Sequence, residues 1–125
     1  MEGGNSKRVL IVEDSHDIAE ALQMLIEMRG YLAFVANSGS EALKIAGDEQ
    51  LDLILMDLAL PDLHGVSVTR ELRSRPQTES TPIVCVSSYT RGHEKEILDA
   101  GCNEVFSKAD FMATFEPTLK RYLGD

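Results

Sequence analysis

Three stretches of this chain are almost continuously apolar, and they constrain the fold more than any other feature of the sequence. They are residues 8–13 (RVLIVE), 51–56 (LDLILM) and 82–87 (PIVCVS), and two further strand-like runs lie at 31–36 and 104–107. A strand with one face in water alternates apolar and polar residues, whereas a continuous apolar run is typical of a parallel strand that is covered on both faces. The sequence therefore predicts a parallel β-sheet with helices on both sides.

Helical patterns separate these runs. The first helix is predicted within 14–30, and its apolar stripe is formed by Ile18, Leu22, Leu25 and Ile26. In the second helix, Ser38 and Glu41 have the spacing of a capping box. The third is expected to end before Pro76. Each predicted helix therefore follows a strand directly along the chain.

The last two helices are predicted to be less regular than the first three. Residues 92–101 contain few apolar side chains, so we expect a short and weakly anchored fourth helix. The fifth, 110–123, contains Pro117. A proline inside a helix removes a backbone hydrogen bond, so this helix should kink or restart there.

The alternation of strands and helices indicates one α/β domain. Short connections between successive units predict right-handed crossovers, with helices on both faces of the sheet. We expect residues 1–125 to form a single domain with a core at about 7–123, and five helices doubly wound around five strands. Among the doubly wound strand orders, we favour the flavodoxin-like order 2-1-3-4-5.

The charge and the cysteine content argue against several classes of function. With 21 acidic and 12 basic residues the net charge is −9, which should repel nucleic acid and anionic membrane surfaces. No apolar run approaches the roughly 18 residues of a membrane span, and the N-terminus, MEGGNSKR, lacks the apolar segment of a secretory signal. Cys85 and Cys102 are interpreted as reduced thiols, one in the core and one in a partly buried loop. We therefore expect a cytoplasmic protein that binds neither nucleic acid nor membrane directly.

Polar residues with potential chemistry follow four of the five strand runs. Glu13 and Asp14 end the first run, Asp57 the third, Ser87 the fourth and Lys108 the fifth. Doubly wound proteins bind ligands at the carboxyl ends of their strands, in the crevice where the strand order reverses. In the favoured order that crevice lies between the first and third strands, which carry the three acids.

Three carboxylates brought close together cannot all remain ionised at little cost. Either one takes up a proton or a cation joins them, and Mg²⁺ suits oxygen ligands of this kind. A nearby lysine and hydroxyl would complete a site for a phosphoryl group, because they neutralise or hydrogen-bond its oxygens. Asp57 follows four apolar residues of a central strand and is therefore the acid best fixed to act as a nucleophile.

Four segments in this order resemble a known family. They are VLIVEDS (9–15), LDLILMDLALPDLHG (51–65), PIVCVSS (82–88) and AGCNEVFSK (100–108). With these segments on a predicted strand–helix alternation, the chain resembles the receiver domain of two-component response regulators, in the CheY-like superfamily.

The resemblance implies a function for each of the strand-end residues. Asp57 would accept a phosphoryl group from a phosphohistidine on a sensor histidine kinase or a histidine phosphotransfer protein. Mg²⁺ would be bound by Glu13, Asp14, Asp57 and the backbone carbonyl of Ala59. Ser87 and Lys108 would contact the phosphoryl group. An effector protein would dock on the face formed by the fourth helix, fifth strand and fifth helix, unless an output domain outside this sequence receives the signal.

The chain departs from the family pattern at several positions. Ala109 stands where the family usually has a proline after a cis peptide bond; a cis bond before a non-proline residue costs about 2.5–4 kcal/mol, so we expect a trans bond. Val105 stands where the family often has a second, aromatic switch residue, and the neighbouring Phe106 should point to the opposite face of the sheet. The first acid is Glu13 where many relatives have Asp. Tyr89 would partly cover the pocket.

Two alternatives remain from the sequence. The substitutions at Val105 and Ala109 are compatible with a receiver-like interaction module that works without phosphorylation. A phosphohydrolase with Asp57 as its nucleophile would need a second acid two residues on, where this chain has Ala59. We expect no enzymatic activity beyond phosphotransfer to the protein itself and its own dephosphorylation.

Overall fold

Five parallel strands form a single sheet at the centre of the protein. The computed structural model describes residues 6–88 and 90–124. The strands are β1 (Arg8–Val12), β2 (Leu32–Ala36), β3 (Leu53–Met56), β4 (Ile83–Val86) and β5 (Glu104–Phe106). Their spatial order is β2-β1-β3-β4-β5, which confirms the predicted doubly wound, flavodoxin-like topology.

Six helices, rather than five, lie within the described residues. They are α1 (His16–Glu27), α2 (Gly39–Asp48), α3 (Gly65–Arg73), α4 (Glu94–Ala100), α5 (Lys108–Ala113) and α6 (Phe115–Leu123). The predicted fifth helix is broken at Thr114 into α5 and α6. Pro117 lies in the first turn of α6, where its missing N–H costs no helical hydrogen bond. The helix therefore restarts just ahead of the proline.

The sheet is covered by one hydrophobic core on each face. On one face α2, α3 and α4 pack against the strands, with Leu72 and Ile97 fully buried. On the other face α1, α5 and α6 bury Ile26, Phe111 and Leu119. The central strand β3 is buried along its whole length, as its continuous apolar run predicts.

Three predicted side-chain positions can be compared with the structure. Val105 packs against the first core and Phe106 against the second, so their predicted opposite orientations are confirmed. Ile18 shares the side of α1 with Leu22 but is 37% exposed, because it lies in the first turn of the helix and lines an open cavity instead of the packed core. Cys102 is only 6% exposed and is not the partly buried loop residue that was expected.

The burial of Cys102 follows from its position beneath α3. Its Sγ lies 3.7 Å from the buried hydroxyl of Thr69 on that helix. Cys85 is fully buried in β4, as predicted, and both thiols are free. Burial raises the pKa of each thiol. Within residues 6–88 and 90–124, no helix has the length and apolar character to cross a membrane.

Candidate functional site

The three predicted acids meet at the carboxyl ends of β1 and β3. These strands pair in parallel with Val12 opposite Met56, so Glu13 and Asp57 leave the sheet side by side. The backbone N–H of Asp57 donates to the carbonyl of Val12 at 3.0 Å. One carboxylate oxygen each from Glu13, Asp14 and Asp57 lies within 4.8 Å of the other two. Glu13 and Asp57 are buried, whereas Asp14 is exposed.

Lys108 extends into this cluster from the first residue of α5. Its Nζ lies 3.1 Å from Oε1 of Glu13 and 3.6 Å from Oδ2 of Asp57. Burial alone would disfavour the charged amine, but the hydrogen bond to Glu13 and the charge of Asp57 outweigh it, and the pKa of Lys108 is raised. The ammonium group is therefore held in its charged form beside two buried carboxylates.

One lysine does not neutralise three acids. Burial raises the pKa of Glu13 and the charge of Asp57 adds to this effect, although hydrogen bonds from Ser15 N–H and from Lys108 act in the opposite direction. The carboxylates are thus an electrostatically strained group that further positive charge would relieve.

The donor set fits a hard divalent cation. Ligand oxygens lie about 2.1 Å from Mg²⁺, so opposite ligands are about 4.2 Å apart, close to the spread of the three carboxylates here. Glu13, Asp14 and Asp57 are the residues that would hold the ion. Ala59, the predicted carbonyl ligand, is exposed in the loop after β3 and pairs with His64 in an isolated β-bridge.

A close approach of two chain segments holds the backbone of Asp57 in place. The N–H of Gly65 donates to the carbonyl of Leu58 at 2.9 Å, which closes the loop between β3 and α3. A Cβ atom at Gly65 would lie 2.3 Å from the carbonyl oxygen of Asp57. Only glycine fits at this position, which explains the Gly at the end of the LPDLHG segment.

Ser87 and the segment around Lys108 complete the predicted set. Ser87 directly follows β4, is fully buried, and donates its backbone N–H to the carbonyl of Phe106 at 3.1 Å. Every peptide bond of residues 6–88 and 90–124 is trans, so the Lys108–Ala109 bond is trans as expected. The hydroxyl of Ser107 accepts from Asp110 N–H at 3.0 Å and starts α5. Tyr89 lies outside the described residues. The roles given to these residues remain predictions.

Three residues that support the site were missed by sequence reasoning. His64 caps α3, since its Nδ1 accepts from the N–H of Val66 at 3.1 Å. Its place just before the helix could have indicated this function. Asn37 and Asp62 bind backbone groups far away in sequence, so no local pattern identifies them.

A cavity of about 320 Å³ opens beside the acids, between α1 and α5. Its walls are mostly apolar and include Ile18, Phe111 and Met112, while Glu13 and Asp57 lie at one end. The acid cluster is thus bordered on this side by an apolar cavity.

The sequence profile of the response regulator receiver domain matches residues 9–114. The polar-differentiation response regulator DivK of Brucella ovis is 37% identical over 121 residues, which covers 96% of this chain and 98% of that protein.

Solved structures of similar proteins share this fold along almost the whole chain. The receiver domain of a sensor histidine kinase from Pseudomonas aeruginosa, solved with a magnesium ion coordinated in its active site cleft, superposes with a TM-score of 0.85 at 29% identity and covers 96% of this chain and 99% of its own. The response regulator TrrA of Thermotoga maritima, solved with Mg(2+)-BeF, gives a TM-score of 0.83 at 26% identity, with 94% and 99% covered. Sequence and fold together place this chain in the response regulator receiver domain family.

Proposed function

We propose that this protein is a phosphorylation-dependent signalling switch whose phosphoacceptor is Asp57. The phosphoryl group would come from a phosphohistidine on a sensor histidine kinase or a histidine phosphotransfer protein, in a reaction that requires Mg²⁺. The observation that carries this proposal is the convergence of Glu13, Asp14, Asp57 and Lys108 at one edge of the sheet. A receiver domain and a response regulator from two other organisms were solved with magnesium, which supports the choice of metal.

Each residue of the site has a distinct part in the proposed transfer. An oxygen of the Asp57 carboxylate attacks phosphorus, the P–N bond of the phosphohistidine breaks, and its electron pair leaves with the imidazole nitrogen. Lys108 supplies a fixed positive charge for the transferred oxygens, and the Ser87 hydroxyl supplies a hydrogen-bond donor. Bound Mg²⁺ would add the positive charge that the carboxylates need before an anionic donor can approach.

The signal is proposed to leave through the face formed by α4, β5 and the two helices that replace the predicted fifth one, α5 and α6. Only Ile97 and Ala100 of α4 are buried, so few apolar contacts resist a shift of this helix. The signal passes to an effector protein or to an output domain. We further propose that the domain acts in the cytoplasm, where its two free thiols stay reduced, binds no nucleic acid or membrane directly, and has no enzymatic activity on other substrates.

Intact mass measurement tests the proposal directly. After incubation with acetyl phosphate and Mg²⁺, we expect one phosphoryl adduct that is lost in Asp57→Asn and retained in Asp52→Asn. Asp52 is a matched control, because its carboxylate lies at the other end of β3 and accepts from Arg8 N–H at 2.8 Å.

Two other results would each favour a competing function. If no adduct forms with acetyl phosphate, phosphoramidate or a phosphorylated donor protein, the domain works as an interaction module without phosphorylation. If the protein hydrolyses other phosphomonoesters with multiple turnovers, the phosphohydrolase alternative is supported instead.

A further inference from the structure

The start of α2 and the residue before its cap contact both chain segments that carry the acids. Asn37, just before this helix, binds the segment that contains Glu13. Gly39 and Ser40, its first two residues, bind Asp62 in the loop that follows Asp57. These contacts join the β1 and β3 sides of the site at a point outside the acid cluster.

On the β1 side, Asn37 holds the backbone of Glu13. Its Nδ2 donates to the Glu13 carbonyl at 3.0 Å, while the Glu13 N–H donates to Ala36 at 2.9 Å. Asn37 is itself fixed, because its N–H donates to Oε1 of Glu41 at 2.8 Å. The predicted capping box is therefore only half present. Ser38 Oγ accepts from Glu41 N–H at 3.1 Å, but the Glu41 carboxylate reaches one residue further back than predicted.

On the β3 side, Asp62 holds the loop that contains Ala59. Its carboxylate accepts from Gly39 N–H at 2.8 Å, from Ser40 N–H at 3.0 Å and from the Ser40 hydroxyl at 2.6 Å. These bonds, led by the one from the hydroxyl, lower the pKa of Asp62 to about 2. Leu63 packs closely on the helix: a Cβ atom at Gly39 would lie 2.9 Å from the Cβ atom of Leu63. The loop is thus fixed by hydrogen bonds and by close contact.

From this geometry we propose that Asn37 and Asp62 are positioning residues for the magnesium site. Asn37 and the first turn of α2 together set the distance between the segment 13–14 and the segment 57–59, which would supply all of the protein ligands. Neither residue belongs to the acid cluster itself, so each acts through the backbone that it holds. This inference rests on the proposed function and extends it to residues outside the ligand set.

Magnesium titration followed by the amide resonances of Asp14 and Asp57 tests this inference without any phosphorylation step. Changes to groups that orient metal ligands typically weaken metal binding by about 10–100-fold. Since Asn37 and Asp62 act through backbone, we expect Asn37→Ala and Asp62→Ala each to raise the Kd for Mg²⁺ by about 3–10-fold, below that range. The Kd of Asp62→Asn for Mg²⁺ should lie between those of Asp62→Ala and the wild type, because the amide keeps one acceptor oxygen. This isosteric variant also keeps the test decidable if Asp62→Ala does not fold.

Glu116→Gln is the matched control. Glu116 is also an exposed carboxylate with two hydrogen bonds, both from Arg29 at 2.7 Å, but it lies on α6. Loss of the Glu116 carboxylate should leave the Kd for Mg²⁺ unchanged. A second measurement separates positioning from loss of structure: phosphorylation of Asn37→Ala and Asp62→Ala should be slow at low Mg²⁺ and should recover at saturating Mg²⁺, because the ligands themselves are still present.

The inference is overturned if folded Asn37→Ala and Asp62→Ala bind Mg²⁺ within twofold of the wild type, if Glu116→Gln weakens binding as much, or if saturating Mg²⁺ does not restore phosphorylation. If any of these results is obtained while the wild-type protein is still phosphorylated on Asp57, only this inference fails and the proposed function stands. If the wild-type protein neither binds Mg²⁺ nor takes up a phosphoryl group, both proposals are wrong.

Discussion

The segments around Asp57 and the region around α4 are held in place very differently. Asp57 follows a strand that is buried along its whole length, and its loop is tied to α2 and to the start of α3. Helix α4 has 7 residues and buries only Ile97 and Ala100. The edge of the sheet that carries the acids is therefore firmly held, whereas α4 has few buried side chains, and this is the distribution of local stability that the proposed switch requires.

Truncation of one apolar side chain in each region should give the largest contrast. Ile54→Ala in β3 removes a fully buried side chain and should cost about 2–5 kcal/mol of unfolding free energy. Leu98→Ala in α4 removes a side chain that is 46% exposed and should stay within about 0.5 kcal/mol. Urea denaturation measures both. Equal losses would show that the side chain of Leu98 is packed as tightly as that of Ile54, despite its exposure.

The two histidines that precede α3 and α4 form a matched pair. His64 accepts from Val66 N–H, whereas in the described part of the chain the side chain of His93 makes no capping bond. His64→Ala should therefore lower the unfolding free energy by about 1 kcal/mol, as loss of an N-cap typically does, and His93→Ala should have almost no effect. Thermal melts of the two variants at neutral pH check this, and a larger loss in His93→Ala would reverse the comparison.

The smallest expected effect is a pH dependence at the contact between β5 and α6. Burial of Glu104 on β5 would raise its pKa, but hydrogen bonds from Tyr122 and Arg121 of α6, each at 2.6 Å, outweigh this and lower it. Because the pKa is lower in the folded than in the unfolded protein, the stabilisation is present above pH 4.5 and is lost as the pH falls through the folded value.

Glu104→Gln should therefore remove part of the acid sensitivity of unfolding. We expect a difference below about 1 kcal/mol at neutral pH, because the pair with Arg121 is partly exposed and solvent screens it. Urea denaturation of the two proteins from pH 3 to pH 7 measures the difference. Parallel pH profiles would show that this network does not fasten α6 to β5.

The strands were predictable because their signal is local. A continuous apolar run such as 51–56 needs no partner to be recognised, and the polar residues at the ends of four runs followed from the topology. Pro117 likewise indicated the restart of the last helix, although the resulting number of helices was underestimated. Ile18 is more exposed than its place in the stripe predicts, because helical spacing alone does not say how far along a helix the core extends.

The strand–helix alternation, the buried central strand and the residues at the carboxyl edge of the sheet could all be predicted from the chain, because each depends on neighbours within one element. The distant groups that hold that edge together are visible only in the folded protein. Asn37 and Asp62 act on backbone atoms 24 and 22–23 residues away, and Cys102 is buried by its contact with a helix 33 residues earlier. Such contacts form only when the crossovers bring separate loops to one side of the sheet, and no periodicity along the chain records them.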